Sequence, residues 1–114
     1  MKNKQPEKVY LQQPAEMYLK SLRIAHIHLK TSITRKVQGR WITFPVEDNK
    51  GWSDLIIFLP NTQTIFVEFK WGKNKMQKCQ VDKKVILEKL GFEYYVIYDI
   101  DVFIELIKSK INGG

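Results

Sequence analysis

The sequence predicts a single α/β domain built on a central mixed sheet flanked by helices. Two observations carry this: a helix-periodic segment at 14–23 leads into β-branched and aromatic-rich stretches over 24–70, and a helical segment at 76–90 separates these from a last strand and helix. At 114 residues the chain suits one domain and leaves little room for a second. Its 44% hydrophobic and 12% aromatic content suffices for a packed core, which excludes a disordered tail.

Residues 1–13 are polar and read as a loosely ordered segment ahead of the domain at 14–114. Pro14 fits the first turn of a helix, and Ala15, Tyr18, Leu19 and Leu22 recur at helical spacing. Residues 24–46 read as strands with a turn at Gln38-Gly39, and Glu47–Gly51 as a loop. Leu55–Leu59 is an uninterrupted apolar run, expected to be a strand buried on both faces. Pro60–Gln63 turns the chain, and Thr64–Lys70 returns. The helix over 76–90 has an apolar stripe of Met76, Cys79, Ile86, Leu87 and Leu90 and is stopped by Gly91. A strand at 92–98 and a helix at 102–111, capped by Asp99 or Asp101, complete the chain.

Several classes are excluded early. The longest apolar run has five residues, Leu55–Leu59, whereas a membrane-spanning helix needs about 20. The segment Met1–Pro6 shows no apolar core of a signal peptide, and the single Cys79 precludes an intramolecular disulfide framework or a multi-cysteine zinc site. A reduced, cytoplasmic setting is the expectation. The net charge of +7 suggests an anionic partner, most simply nucleic acid. Its distribution is more informative than its size. Residues 1–50 carry +6 and residues 69–90 carry +5, whereas 51–68 carry only Asp54 and Glu68. Two basic blocks thus flank two carboxylates, an arrangement that a plain phosphate binder has no use for.

Alternation along Thr64–Lys70 puts Glu68 and Lys70 on one face. With Asn61 and Thr62 at a two-residue hairpin tip, Asp54 falls opposite Phe69 and close to Glu68 and Lys70. Two carboxylates about 4 Å apart repel by about 4 kcal/mol at an effective dielectric of about 20. Lys70 offsets part of this, and a hard divalent cation such as Mg²⁺ suits an all-oxygen site with one or two carboxylates. Lys70 could then orient or deprotonate an attacking water. A Glu-x-Lys pair also occurs as an exposed ion pair, but Glu68 lies inside Ile65-Phe66-Val67-Glu68-Phe69, where an unpaired charge is costly.

Gly51-Trp52-Ser53-Asp54, thirteen further residues, and then Glu68-Phe69-Lys70 resemble the Asp…Glu-x-Lys signature of the PD-(D/E)xK nucleases. More narrowly they resemble the virus-type replication-repair nuclease domain, VRR-Nuc, in which a glutamine opens the next helix and a glycine ends it, as Gln80 and Gly91 do here. The resemblance covers about residues 14–100. It implies a restriction-endonuclease-like αβββαβ core. It implies that Asp54, Glu68 and the Phe69 carbonyl bind Mg²⁺ or Mn²⁺, that Lys70 positions water, and that Gln80 supports the site. It implies a carboxylate on the first helix, for which Glu16 is the candidate. Glu7 is set aside because it precedes the expected helix, and Glu16 could equally pair with Lys20. One departure stands out: Ser53 occupies the place of the usual proline.

For holding the DNA backbone, the candidates are Lys73, Lys75, Lys78 and Lys84 after the site, and Arg35, Lys36 and Arg40 around the turn. Trp41, Trp52 and Trp71 could stack on bases or pack on the sheet. His26 and His28 share a strand face but have no third ligand nearby in sequence, so phosphate contact or packing suits them better than a metal. Cys79 is expected in the core. The combined expectation is a Mg²⁺-dependent endodeoxyribonuclease. The resemblance further implies four-way (Holliday) junctions as substrate, a homodimer, and the bacterial host cytoplasm during viral infection. The alternatives are a non-catalytic nucleic-acid-binding module and a linear-duplex endonuclease of the same fold.

Overall fold

A computed structural model describes residues 6–29, 32–46 and 49–113. A π-helical turn, Lys8–Gln12, runs directly into helix α1, Gln13–Ser21. Strands β1 (Ala25–His28), β2 (Ser32–Val37), β3 (Arg40–Pro45), β4 (Leu55–Leu59) and β5 (Gln63–Phe69) follow. Helix α2 (Lys78–Lys89), strand β6 (Glu93–Ile97) and helix α3 (Ile100–Asn112) complete the fold.

The main sheet has the order β1-β4-β5-β6. Its β1–β4 and β4–β5 pairs are antiparallel, and β5–β6 is parallel. The parallel pair requires a crossover, which α2 provides. One sheet face carries Leu55, Ile57, Ile65, Val67 and Phe69 and packs with Leu11, Ala15, Leu19, Phe103 and Ile107 from the helices. The opposite face forms a smaller cluster of Phe66, Leu87 and Tyr94 beneath α2, joined by Trp52, Ile56 and Met76. Strands β2 and β3 form a separate two-stranded sheet closed by Gln38 (φ 49°) and Gly39 (φ 79°), a two-residue turn with both central residues left-handed.

The structure differs from the sequence expectations in four places. First, the N-terminal helix begins well before Pro14, and Leu11 is buried in the core. A proline inside a helix has no N–H to donate and its ring crowds the carbonyl four residues earlier. Here the wider π turn immediately precedes Pro14, so the helix passes through the proline instead of starting at it. Second, β4 is fully buried on one face and only partly on the other, where Ile56 joins the smaller cluster but Phe58 is 42% exposed. Third, the β4–β5 connection has three residues, since Leu59 pairs with Gln63. Asn61 and Thr62 both take positive φ (64° and 62°) to make the turn. Leu55 therefore pairs with Val67, and the register carried one step further sets Asp54 opposite Glu68, not Phe69. Fourth, only Leu87 of the expected α2 stripe is buried, while Ile86 and Leu90 are 46% and 69% exposed. Ile86 lies about 100° round the helix from Leu87 and turns away from the sheet. Asp99 caps α3 by accepting from the Asp101 amide at 2.8 Å. The loop expected at 47–51 lies partly outside the described residues.

Replacing Leu11 tests whether the upstream turn belongs to the core. Leu11→Ala should destabilise the protein by about 2–5 kcal/mol in urea unfolding; an unchanged midpoint would contradict the packing described.

Candidate active site

The site is built at the end of the β4–β5 hairpin, where the backbone is pinned on both sides. The Leu29 amide donates to the Asp54 carbonyl (3.2 Å), and the Lys70 amide donates to the Ile97 carbonyl (3.0 Å). Ser53 is buried and its hydroxyl donates to the Leu55 carbonyl at 3.0 Å, so the serine found in place of proline secures the entry to β4 by a hydrogen bond. The Phe69 amide donates to Asp54 Oδ2 at 2.7 Å, which fixes that carboxylate across the hairpin.

Glu68 is 3% exposed. Its Oε2 accepts from Gln80 Nε2 (2.9 Å) and lies 3.7 Å from Lys70 Nζ, itself buried. Its Oε1 is buried with no hydrogen-bond partner among the described residues. Gln80 is aimed by its place in α2: its Oε1 accepts from the Gln77 amide at 2.8 Å, half of a capping box, so its Nε2 remains to meet Glu68. Gly51 makes this approach possible. It has φ 86°, and a Cβ there would sit 2.8 Å from the Cys79 carbonyl oxygen at the start of α2. The glycine of the Gly-x-x-Asp segment thus lets α2 dock against the strand that carries the carboxylate.

Burial, and then the charge of Asp54, push the Glu68 carboxyl up to about 8, against the opposing pull of Lys70. Asp54 is also raised, by burial above all, although the Phe69 amide draws it down. Glu7 raises both, and so belongs to the same electrostatic cluster. A cavity of about 420 Å³ is lined by Glu7, Asp54, Glu68, Lys70 and Gln80, among others. Glu7 is held there by Asn74, whose Nδ2 donates to its Oε2 at 3.4 Å.

The structure therefore brings together Asp54, Glu68, Lys70 and Gln80, but not Glu16. The Glu16 carboxylate accepts from Gln12 Nε2 (3.1 Å) and lies 3.6 Å from His26 Nε2. Glu7, which lies upstream of Pro14 in the same helical segment, is the carboxylate of that segment that lines the cavity. The signal was present: Glu7, Leu11, Ala15 and Leu19 are spaced by fours, and the last three are buried. Tyr94 was also missed. Its hydroxyl is buried without a partner among the described residues, and burial together with Glu68 and Asp54 raises its pKa. Cys79 lines the cavity and is not in the core.

Of the candidate DNA-binding groups, Lys73 and Lys75 lie exposed in the loop before α2. Lys78 pairs with Asp82 (3.2 Å) and Lys84 with Glu88 (2.9 Å). Arg35, Lys36 and Arg40 lie exposed on the β2–β3 hairpin. Trp52 lies beneath the Lys83 ammonium, 4.8 Å from the ring centroid. Among the described residues no group of three or more His, Cys, Asp or Glu side chains is placed to hold a metal. His26 bonds the Ile24 carbonyl (2.9 Å) and His28 meets Gln12 (2.9 Å), so the two imidazoles have separate partners.

The raised Glu68 pKa has a consequence for stability. Between about 4.5 and about 8 the folded state holds a proton at Glu68 that the unfolded chain has released, so this group lowers stability as pH rises through that window. Glu68→Gln should flatten the decline of melting temperature of the metal-free protein and raise it near pH 8. A variant melting lower than the parent at pH 8 would contradict this.

No family model matches the sequence, and no curated protein matches it. Among solved structures, a chain described as a VRR_NUC domain matches with a TM-score of 0.60 and 22% identity, covering 85% of this chain and 89% of that one. At that identity the likeness is one of fold, and the fold of this chain, a mixed sheet flanked by helices, is that of a VRR-Nuc domain.

Proposed function

We propose that this chain is a divalent-metal-dependent nuclease that hydrolyses phosphodiester bonds in DNA. The observation that carries the reading is the buried Glu68, whose Oε1 has no hydrogen-bond partner among the described residues while Asp54 and Lys70 stand beside it. Such an arrangement is poor as a structural ion pair, since one carboxylate oxygen is desolvated for nothing. It fits a hard cation, which prefers oxygen donors and accepts one or two carboxylates with waters filling the rest. Asp54, Glu68 and the Phe69 carbonyl would hold Mg²⁺ or Mn²⁺, which when bound supplies charge neutralisation at the phosphate and a more acidic water.

The chain's own residues then have distinct tasks. Lys70, buried and close to Glu68, orients the attacking water and faces the phosphate with positive charge. Gln80 keeps the Glu68 carboxylate in one rotamer. Glu7 adds a third carboxylate to the cavity. Water attacks phosphorus as the bond to one sugar oxygen breaks; that oxygen takes up a proton, leaving a phosphate monoester and a free hydroxyl. The lysines before α2 and the basic hairpin carry the flanking backbone, through contacts that do not read sequence.

The finer reading is a homodimer acting on four-way junctions, in which two sites cut two strands. Exposed Val81, Val85 and Ile86 on α2, with Leu90 at its C-cap, are the apolar groups that support a second copy.

Labelled four-way junction and linear duplex, incubated with Mg²⁺, Mn²⁺ or EDTA, test the reading. Cutting is expected with either metal and none with EDTA. Lys70→Ala and Asp54→Asn should lower the rate by about 10²–10⁴-fold while DNA is still bound. Glu7→Gln should cost far more activity than Glu16→Gln. Undiminished cutting by Lys70→Ala would overturn the assignment, and equal rates on the two DNAs would remove the junction preference alone.

A further inference from the structure

A second and larger cavity, of about 690 Å³, adjoins the first across Glu7 and Asp54, which line both. We propose that this cavity is a subsite for one unpaired base, that of a nucleotide next to the scissile phosphate. The proposal rests on the nuclease reading for its phosphate and on the cavity's own chemistry for the base.

Its volume lies within the about 300–1,000 Å³ typical of small-molecule sites, which suits a nucleoside and not a duplex. Its lining is wrong for phosphate. Lys8 is outnumbered there by the carboxylates of Glu7 and Asp54. Beside small polar and apolar side chains such as Ser32, Ile33 and Thr34, the lining includes three groups that recognise bases: the Gln12 amide, the His28 imidazole and the Trp71 indole. Tyr10 stacks on Trp71, with ring centroids 5.3 Å apart and 24° between planes, which stiffens the indole while leaving it 38% exposed. Such an aromatic supports any base by stacking, without regard to sequence. Gln12 is similarly held. Its Nε2 is engaged by His28 (2.9 Å) and Glu16 (3.1 Å), and the amide oxygen takes part in neither bond. The π turn of the first helix sets this geometry, since Lys8 and Gln12 are its two ends.

A base reaches such a cavity only by leaving its stack, which is least costly when it has no pairing partner. A strand whose phosphate is held in the adjoining cavity, through a divalent cation on Asp54 and Glu68, would therefore have its neighbouring base beside Trp71 when that base is unpaired.

The test is binding of the intact protein with Ca²⁺ in place of Mg²⁺, the DNA checked to be uncut, read by fluorescence anisotropy. Three duplexes of one length are compared: fully paired, with a single unpaired thymine at the centre, and with an abasic residue in its place. The unpaired thymine should bind about tenfold tighter than the abasic duplex. Trp71→Leu and Gln12→Ala should each bring that ratio close to one. A 4-thiothymine at the same position should crosslink to the peptide carrying Trp71 or His28. Equal binding of the thymine and abasic duplexes by the parent protein, or crosslinks confined to other peptides, would overturn the subsite. Base-dependent binding in a protein that never cuts with Mg²⁺ would overturn the nuclease reading and leave the subsite standing; cutting without base dependence would do the reverse.

Discussion

The burial of the Glu68 carboxylate is the constraint on which the site depends. A charge inside Ile65–Phe69 is costly, and the chain answers that cost from two directions. Gln80 reaches it from α2 and Lys70 stands two residues on along the same strand face, whereas Asp54, tied across the hairpin by the Phe69 amide, adds to the cost. Among the described residues one carboxylate oxygen is left without a partner, and the carboxyl remains pushed up to about 8. Hydrophobic packing alone would favour a leucine here. The cost makes sense when the carboxylate is meant for something outside the chain.

Packing and chemistry are divided between the two faces of the sheet. The face toward α1 and α3 is filled by aliphatic and aromatic side chains and holds the larger core. The face toward α2 has a smaller cluster, so the site lies where the sheet is least covered. Gly51 links the two requirements, since its missing Cβ lets the start of α2 come close enough for Gln80 to touch Glu68.

Much of this was legible from periodicity. Alternation places Glu68 and Lys70 together, whereas Gln80 was named through the family resemblance. The hairpin register was misjudged by one residue, because the loop uses Pro60 as well as Asn61 and Thr62, and only the positive φ values of the latter two reveal it. Glu7 was hidden by Pro14, which reads locally as a helix start. The π turn that lets the helix run through the proline is a tertiary accommodation, supported by the burial of Leu11, and propensity does not report it. The outward apolar residues of α2 were likewise mistaken for core, since a pattern alone does not say which side the sheet is on.

Crystals grown without metal and soaked in Mn²⁺ test the central claim most directly, by anomalous diffraction. The account predicts a peak ligated by Asp54, Glu68 and the Phe69 carbonyl, absent from crystals of the Asp54→Asn protein. A Mn²⁺ peak that avoids Glu68, or a site that stays empty in Mn²⁺ while Glu68 keeps its place against Gln80 and Lys70, would contradict it.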